Sequence, residues 1–252
     1  MNTIISSHNL VKSFPNAEGE NTVLHGIDVS IEPGEFVAIM GPSGSGKSTL
    51  LNTLSGMDEA TSGEIFFSDE PIHELSQKRL AELRLTKMGF VFQQIHLLKN
   101  LSLLDNIIFP GFSAQKVPRA EVVEHGRELM NRVGLNGLED RTVAQASGGQ
   151  LQRVGICRAL INDPDVLFCD EPTGALNSTS ASEIMDLLCE INNEGTTVVV
   201  VTHDVKVATR CERVLFLVDG QIVGDRQQGK DDPDQFTARY TELSTWLIDQ
   251  GF

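Results

Sequence analysis

The apolar run Phe36-Val37-Ala38-Ile39-Met40 feeds directly into Gly41-Pro42-Ser43-Gly44-Ser45-Gly46-Lys47-Ser48-Thr49, and no other stretch restricts the fold as much. Five apolar residues in a row predict a buried strand, and Leu50, Leu51 and Leu54 recur at helical spacing after Lys47, so the loop joins a strand to a helix. GPSGSGKS fits G-x-x-x-x-G-K-[ST] in the context that gives the pattern meaning. Gly41, Ser43, Gly44 and Gly46 belong to a turn whose backbone N–H groups point inward around a polyphosphate. The helix N-terminus adds partial positive charge and Lys47 neutralises the β and γ phosphates. Ser48 is placed to ligate Mg²⁺ through its hydroxyl, and Thr49 supports the turn. The bland alternative, a glycine-rich turn with an incidental lysine, fits poorly with a strand before it and a helix after it. A bound nucleoside triphosphate is expected.

The rest of the chain extends the same alternation. A β-type run over 23–31 and the turn Glu32-Pro33-Gly34 precede the glycine loop, and a helical stretch over 73–85 precedes the strand Met88-Gly89-Phe90-Val91-Phe92. Residues 95–161 show helical patterning and read as a helical insertion. Strands then return at 166–169, 197–202 and 214–218, with a helix over 180–191 and a short helix after residue 202. This order predicts an α/β fold with a mainly parallel sheet covered by helices on both faces. Gln227 to Asp234, QQGKDDPD, reads as a polar linker. Phe236, Tyr240, Leu243 and Leu247 follow at helical spacing with Trp246 beside them, a pattern for a terminal helix packed on its own domain rather than on a partner.

Length and charge remove several functions. A chain of 252 residues can bury a real core as one large domain with an insertion. With 40% apolar and 22% charged residues it is expected to be globular. A formal net charge of −15 argues against a nucleic-acid partner, which needs a surplus of lysine and arginine to release counterions. Cys157, Cys169, Cys189 and Cys211 are too far apart for a CxxC pair and read as reduced core residues. The start, MNTIISSHNL, lacks the features of a secretory signal, and the longest apolar runs fall far short of the roughly 20 residues of a membrane span. A membrane connection is expected only through a partner.

A phosphate loop is shared by kinases, GTPases, helicases and transport ATPases, so the second half must discriminate. In Asp165-Val166-Leu167-Phe168-Cys169-Asp170-Glu171, a buried strand delivers two carboxylates to its C-terminal end, where open α/β sheets bind ligands. Asp170 suits the Mg²⁺ shell and Glu171 a general base. In Ala146-Ser147-Gly148-Gly149-Gln150, Ser147 and Gln150 have capping-box spacing before the apolar stripe Leu151, Val154, Cys157 and Ile161. Read structurally, that is only a helix start. Two glycines in its first turn, however, cost helix stability and expose N–H groups to an anion.

ASGGQ, followed by Asp170-Glu171, resembles the signature motif and Walker B of ATP-binding-cassette (ABC) ATPases. Other family positions fall into register over residues 4–224. Gln93 resembles the Q-loop glutamine, His203 the switch histidine, and Gly174-Ala175-Leu176-Asn177 the D-loop; Phe14 occupies the place of the aromatic that stacks on adenine. Each has a plainer reading too: Phe14 as core, Gln93 as a loop amide, His203 as a helix cap with Asp204. Ala146 departs from the usual leucine, and Asn177 from the usual aspartate, keeping the hydrogen-bonding shape without the charge.

The resemblance implies a P-loop (RecA-like) ATPase with an antiparallel N-terminal β-subdomain and a helical subdomain. One ABC ATPase domain would span 1–252, with a core of 1–93 and 160–225, a helical subdomain of 94–159 bearing the signature motif, and a linker and helix over 226–252. It implies ATP and Mg²⁺ as ligands, with Ser48, Gln93 and Asp170 around the metal, Glu171, His203 and Gln93 in catalysis, and Asn177 beside the nucleotide. Two copies would close head-to-tail on ATP, Ser147, Gly149 and Gln150 of one completing the site of the other. Separate membrane permease subunits would receive the motion at the cytoplasmic face of the cell membrane, docking near Gln94 to Asn106. The wording of GEFVAIMGPSGSGKSTLLNTLSGMD, GFVFQQ and DEPTGALNS is closest to the branch with lipoprotein-releasing, macrolide-efflux and bacitracin- or lantibiotic-resistance ATPases. TELSTWLIDQGF and Asn177 tilt it toward antimicrobial-peptide resistance. A soluble ABC ATPase of iron–sulfur assembly is the alternative on size.

Overall fold

The computed structural model describes residues 3–16 and 19–252. Met1 and Asn2, the start of the segment read as lacking a secretory signal, lie outside them. Long strands β1 (Ile5–Asn16) and β2 (Gly19–Ile31) pair antiparallel, and the turn at Pro33 and Gly34 leads into β3 (Phe36–Met40). The glycine loop follows, then α1 (Lys47–Leu54), with the bounds that its leucine spacing predicts. After β4 (Ser62–Phe67) and the two-residue β5 (Glu70–Pro71), the stretch expected to be helical from 73 divides. A 3₁₀ turn occupies Ile72–Glu74, and α2 (Gln77–Lys87) begins only where Ser76 caps it by accepting from the Arg79 N–H. Next come β6 (Met88–Phe92) and three helices, α3 (Leu103–Ala114), α4 (Arg119–Arg132) and α5 (Gly148–Leu160). The final third alternates β7 (Val166–Asp170), α6 (Ser178–Asn193), β8 (Thr197–Val201), α7 (Val205–Thr209), β9 (Arg213–Val218), β10 (Gln221–Gln227) and α8 (Phe236–Asp249).

Two sheets result. One is antiparallel in the order β2-β1-β4-β5; the other runs β10-β9-β3-β8-β7-β6, parallel throughout except for its edge strand β10. Its inner strands are buried on both faces, which is why they read as unbroken apolar runs. Phe36, Ala38 and Met40 of β3 join a core with α3 to α8, whereas Val37 and Ile39 join one with α1, α2 and the antiparallel sheet. Strands β3, β7 and β8 all end at the same sheet margin, where their C-terminal loops converge.

The C-terminal segment departs from its sequence reading in two ways. The face of α8 that is buried carries Arg239, Leu243 and Leu247, with Trp246 half-buried against Phe216; Tyr240 is exposed and Phe236 only half-buried. The stripe expected at Phe236 and Tyr240 is therefore rotated, because a buried arginine takes the place of an apolar residue. Nor is QQGKDDPD a loose linker. Gln227 ends β10, two residues past the expected boundary at 225, and Asp231 is fastened to Arg210 at 2.5 Å.

Candidate functional site

Close packing requires glycine at the start of the loop. Gly41 has φ 153°, and a Cβ there would stand 2.0 Å from the Leu217 carbonyl oxygen. Gly44 and Gly46 also take positive φ, 82° and 100°, and Gly46 is the N-cap of α1. The Ser45 carbonyl accepts from the Gly220 N–H at 3.0 Å, tying the loop to the β9–β10 turn. Lys47 Nζ donates to the carbonyls of Gly41, at 2.9 Å, and Pro42, at 2.8 Å. Partial burial lowers the Lys47 ammonium from its ordinary range, while Glu171 and Asp170 oppose that shift.

The carboxylates arrive from β7. Ser48 Oγ donates to Asp170 Oδ1 at 3.0 Å, bringing a hydroxyl and a carboxylate together across one intervening strand. Burial raises the Asp170 carboxyl above its usual range; the Ser48 hydrogen bond works against this and Glu171 adds to it. Two hard oxygens with excess negative charge nearby suit a hard divalent cation.

Glu171 is the most constrained residue of the group. Its φ of 48° lies in the left-handed region, a strain of about 1–3 kcal/mol that persists only where surroundings hold it. Here its N–H donates to Val201 O at 2.9 Å, the His203 N–H donates to its Oε1 at 3.1 Å, and His203 Nδ1 lies 2.7 Å from the same oxygen. Thr202 Oγ1 contributes a long bond of 3.4 Å to Oε2. Sequence reasoning did not single out Thr202, although Thr-His-Asp directly after a buried strand was a visible signal. Glu171 and His203 also line a cleft of about 450 Å³ bounded by Leu176, Met185, Arg210 and Phe236.

Of the remaining residues, Gln93 borders this cluster, sharing Gly174 with Glu171 as a neighbour. Ser147 caps α5 in a full capping box: its hydroxyl accepts from the Gln150 N–H at 3.3 Å, and Gln150 Oε1 accepts from the Ser147 N–H at 2.9 Å. That turn packs on the start of α6, where a Cβ on Gly149 would stand 3.1 Å from Ser180 Oγ. Asn177 caps α6, its Oδ1 accepting from the Ser180 N–H at 2.9 Å, so this oxygen is committed to the helix. Gln93 is exposed and packs against Gly174, where a Cβ would come within 2.9 Å of its Nε2. Phe14 stands on β1 with a 37% exposed side and the Lys12 ammonium 4.6 Å from its ring centre. It is a surface ring and not core. In the stretch after Gln93, Leu97 packs on the core while Leu98 is exposed.

A family profile described as ABC transporter matches residues 24–174. The bacitracin export ATP-binding protein BceA of Halalkalibacterium halodurans is 40% identical over 234 residues, 92% of each chain. The macrolide export ATP-binding/permease protein MacB of Pasteurella multocida is 42% identical over 223 residues, 88% of this chain; the match spans only 34% of that relative's length. Among solved structures, the dimeric structure of MJ0796, a bacterial ABC transporter cassette, matches with a TM-score of 0.83 at 39% identity, covering 88% of this chain and 98% of the other. A dimeric post-hydrolysis state of the same cassette, bound to ADP and Pi, matches with a TM-score of 0.83 at 37% identity and the same coverage.

Proposed function

The chain belongs to the ABC transporter family and is an ATPase of it, and from that premise we propose how its residues divide the work and what that work serves. It is the ATP-binding subunit of an export transporter, acts as a dimer and is paired with a membrane permease. Backbone N–H groups of Gly41 to Thr49 hold the ATP phosphates, and Lys47 exchanges its bonds to the Gly41 and Pro42 carbonyls for phosphate oxygens. Phe14 stacks on the adenine, a contact worth about 1–3 kcal/mol. Ser48 and Asp170 would hold Mg²⁺, with Gln93 contributing beside them. When bound, the ion screens the phosphate charge that would otherwise repel an attacking water.

Glu171 takes the proton of that water as its oxygen bonds to the γ phosphorus and the bond to ADP breaks. His203 holds the carboxylate and faces the γ-phosphate. Ser147, Gly149 and Gln150 complete the site of a second copy, with Asn177 at the start of α6 beside them. ATP then stabilises the closed pair because it is contacted from both sides, and hydrolysis removes that differential binding. The observation that carries this reading is the pairing of Ser48 with Asp170 at 3.0 Å and of His203 with Glu171 at 2.7 Å on one sheet margin.

The test is ATPase activity against protein concentration for the chain and for Glu171→Gln and Ser147→Arg. Specific activity that rises with concentration and vanishes in both variants is the expected result. Activity independent of concentration that survives Ser147→Arg would overturn the shared site.

For the cargo, the reading is resistance to antimicrobial peptides, by export or by relieving the ligand at the membrane. It is supported by the likeness to a bacitracin exporter over 92% of both chains. Lipoprotein release or macrolide efflux is the second reading, of which macrolide efflux is favoured by relatives matched over a third of their length. Loss of peptide tolerance in cells carrying Lys47→Ala, with macrolide tolerance intact, would separate the two. The place of action is the inner face of the cell membrane, held there by the permease; among the described residues no helix is long and apolar enough to cross it.

A further inference from the structure

Helix α7 starts two residues after His203 and has only five residues, too few to be stable alone. Its N-terminus is capped locally by Asp204, which accepts from the Lys206 N–H at 2.8 Å. Its C-terminal end is closed by residues far along the chain. Gln228 Nε2 donates to the carbonyls of Ala208 and Cys211, both at 3.0 Å. Arg239 Nε donates to Thr209 O at 3.1 Å and its Nη2 to Cys211 O at 2.9 Å, while Nη1 donates to Gly229 O and Lys230 O. Arg210, the C-cap of α7, is gripped by Asp186 of α6 at 2.9 Å and by Asp231 at 2.5 Å.

Arg239 is the unusual member. It is 9% exposed, and the bonds it makes run to main-chain carbonyls in two segments, the end of α7 and the turn at Gly229 and Lys230. A guanidinium fork can serve several acceptors in one plane, which an ammonium cannot. Among the carbonyls that it and Gln228 occupy, Thr209 is the last residue of α7, Ala208 also accepts from the Cys211 N–H at 3.1 Å, and Cys211 lies just past the C-cap. Arg210 and Phe236 meanwhile form part of the same cleft wall as His203 and Glu171. The C-terminal segment is thus attached to the helix that begins two residues after the histidine.

We propose that Gln228 and Arg239 are positioning residues for hydrolysis: by closing the C-terminal end of α7 they set His203 against Glu171. This rests on the reading that His203 and Glu171 act on ATP. Loosening α7 at its far end lets its first turn shift, and with it the His203 backbone N–H and ring that together hold Glu171 Oε1. A role confined to fastening α8 would lower thermal stability and leave the histidine in place.

The experiment uses the full chain, wild type beside Arg239→Met and Gln228→Ala, with kcat and KM for ATP measured well below the melting temperature. The His203 imidazole resonance is followed in ¹⁵N-histidine-labelled protein and assigned with His203→Gln. General acid–base catalysis contributes about 10²–10⁴-fold, and misorienting the base forfeits part of it, so kcat is expected to fall about tenfold in Arg239→Met and by less in Gln228→Ala, at unchanged KM. The His203 resonance is expected to shift or broaden in both. Variants that lose melting temperature yet keep kcat and the wild-type resonance would overturn the proposal. If Arg239→Met fails to fold, Gln228→Ala decides by the same two readings. Wild-type protein without ATPase activity would instead defeat the hydrolysis reading, and the resonance would still test the link from α8 to His203.

Discussion

Replacing Gly41 by alanine tests why the phosphate loop begins with glycine. The added Cβ would sit 2.0 Å from the Leu217 carbonyl oxygen and 2.8 Å from Ser45 Oγ. Side-chain oxygen can rotate away; the Leu217 carbonyl belongs to β9, which pairs with β3 through Met40 and Phe216 immediately before the loop. An ordinary carbon–oxygen contact needs a little over 3 Å, so either the strand pair opens by about 1 Å or the loop lifts off it. Overpacking of this kind costs about 1–3 kcal/mol, and the φ of 153° adds to it. For a domain of this size 1 kcal/mol is about 2–4 °C, so the overpacking alone gives a drop of roughly 2–12 °C. Gly44→Ala is the companion: φ is also positive, but nothing lies within 4 Å of its Cβ, so only the backbone penalty of about 1–2 kcal/mol applies. Thermal unfolding with a fluorescent ATP-analogue titration reads both effects. Gly41→Ala should lose more melting temperature than Gly44→Ala and bind nucleotide more weakly than wild type. Equal melting temperatures for the two variants would refute the argument that close approach, and not backbone freedom, selects glycine at 41.

Asn177→Ala should lose about 0.5–2 kcal/mol with the α6 cap, whereas Asn177→Asp keeps the cap and leaves denaturant midpoints near wild type. If both variants melt alike, the capping bond is not what Asn177 contributes. Leu243→Ala, at a fully buried position, should cost about 2–5 kcal/mol in urea unfolding, and Tyr240→Ala, at an exposed one, little; comparable costs at the two would restore the stripe read from sequence, which held both. Burial pushes the Cys157 and Cys189 thiols up to about 12, so native protein at pH 8 should resist iodoacetamide while unfolded protein takes four equivalents. The folded pKa exceeds the ordinary 9.0, so the stability these thiols contribute is full below about 9 and is lost as pH rises toward 12. A melting temperature flat across that window would contradict it.

The strands and helices nearest the glycine loop were legible because their signals are local. The apolar run of β3 and the leucines of α1 each specify an element without reference to distant residues, and the capping box of Ser147 and Gln150 spans only one turn. What escaped was set by contacts far apart in the chain. Gln228 and Asp231 look like linker residues until Ala208, Cys211 and Arg210 are beside them, 17 to 21 positions away. Arg239 escaped for a related reason: a helix may bury any of several overlapping i, i+4 rows, and a charged residue marks a row as exposed unless carbonyls are known to wait for it. The antiparallel sheet came from resemblance and not from periodicity, since β1 mixes exposed and buried residues through bulges at Leu10 and Ser13.

Strand β8 leaves no side on which the chain can drift. Val198 and Val200 belong to one core, Val199 and Val201 to the other, and Thr197 is tolerated at the buried end because its hydroxyl accepts from the Gly34 N–H at 2.9 Å. At the opposite extreme, every second residue of β10 is exposed at the sheet edge. Among descendants of this sequence, accepted substitutions would therefore collect along β10 and stay out of β8. Tolerance to change becomes a gradient across the sheet. It is lowest in the strand that separates the one delivering the glycine loop from the one delivering the two carboxylates, so neutral variation is least able to alter the spacing on which the site depends.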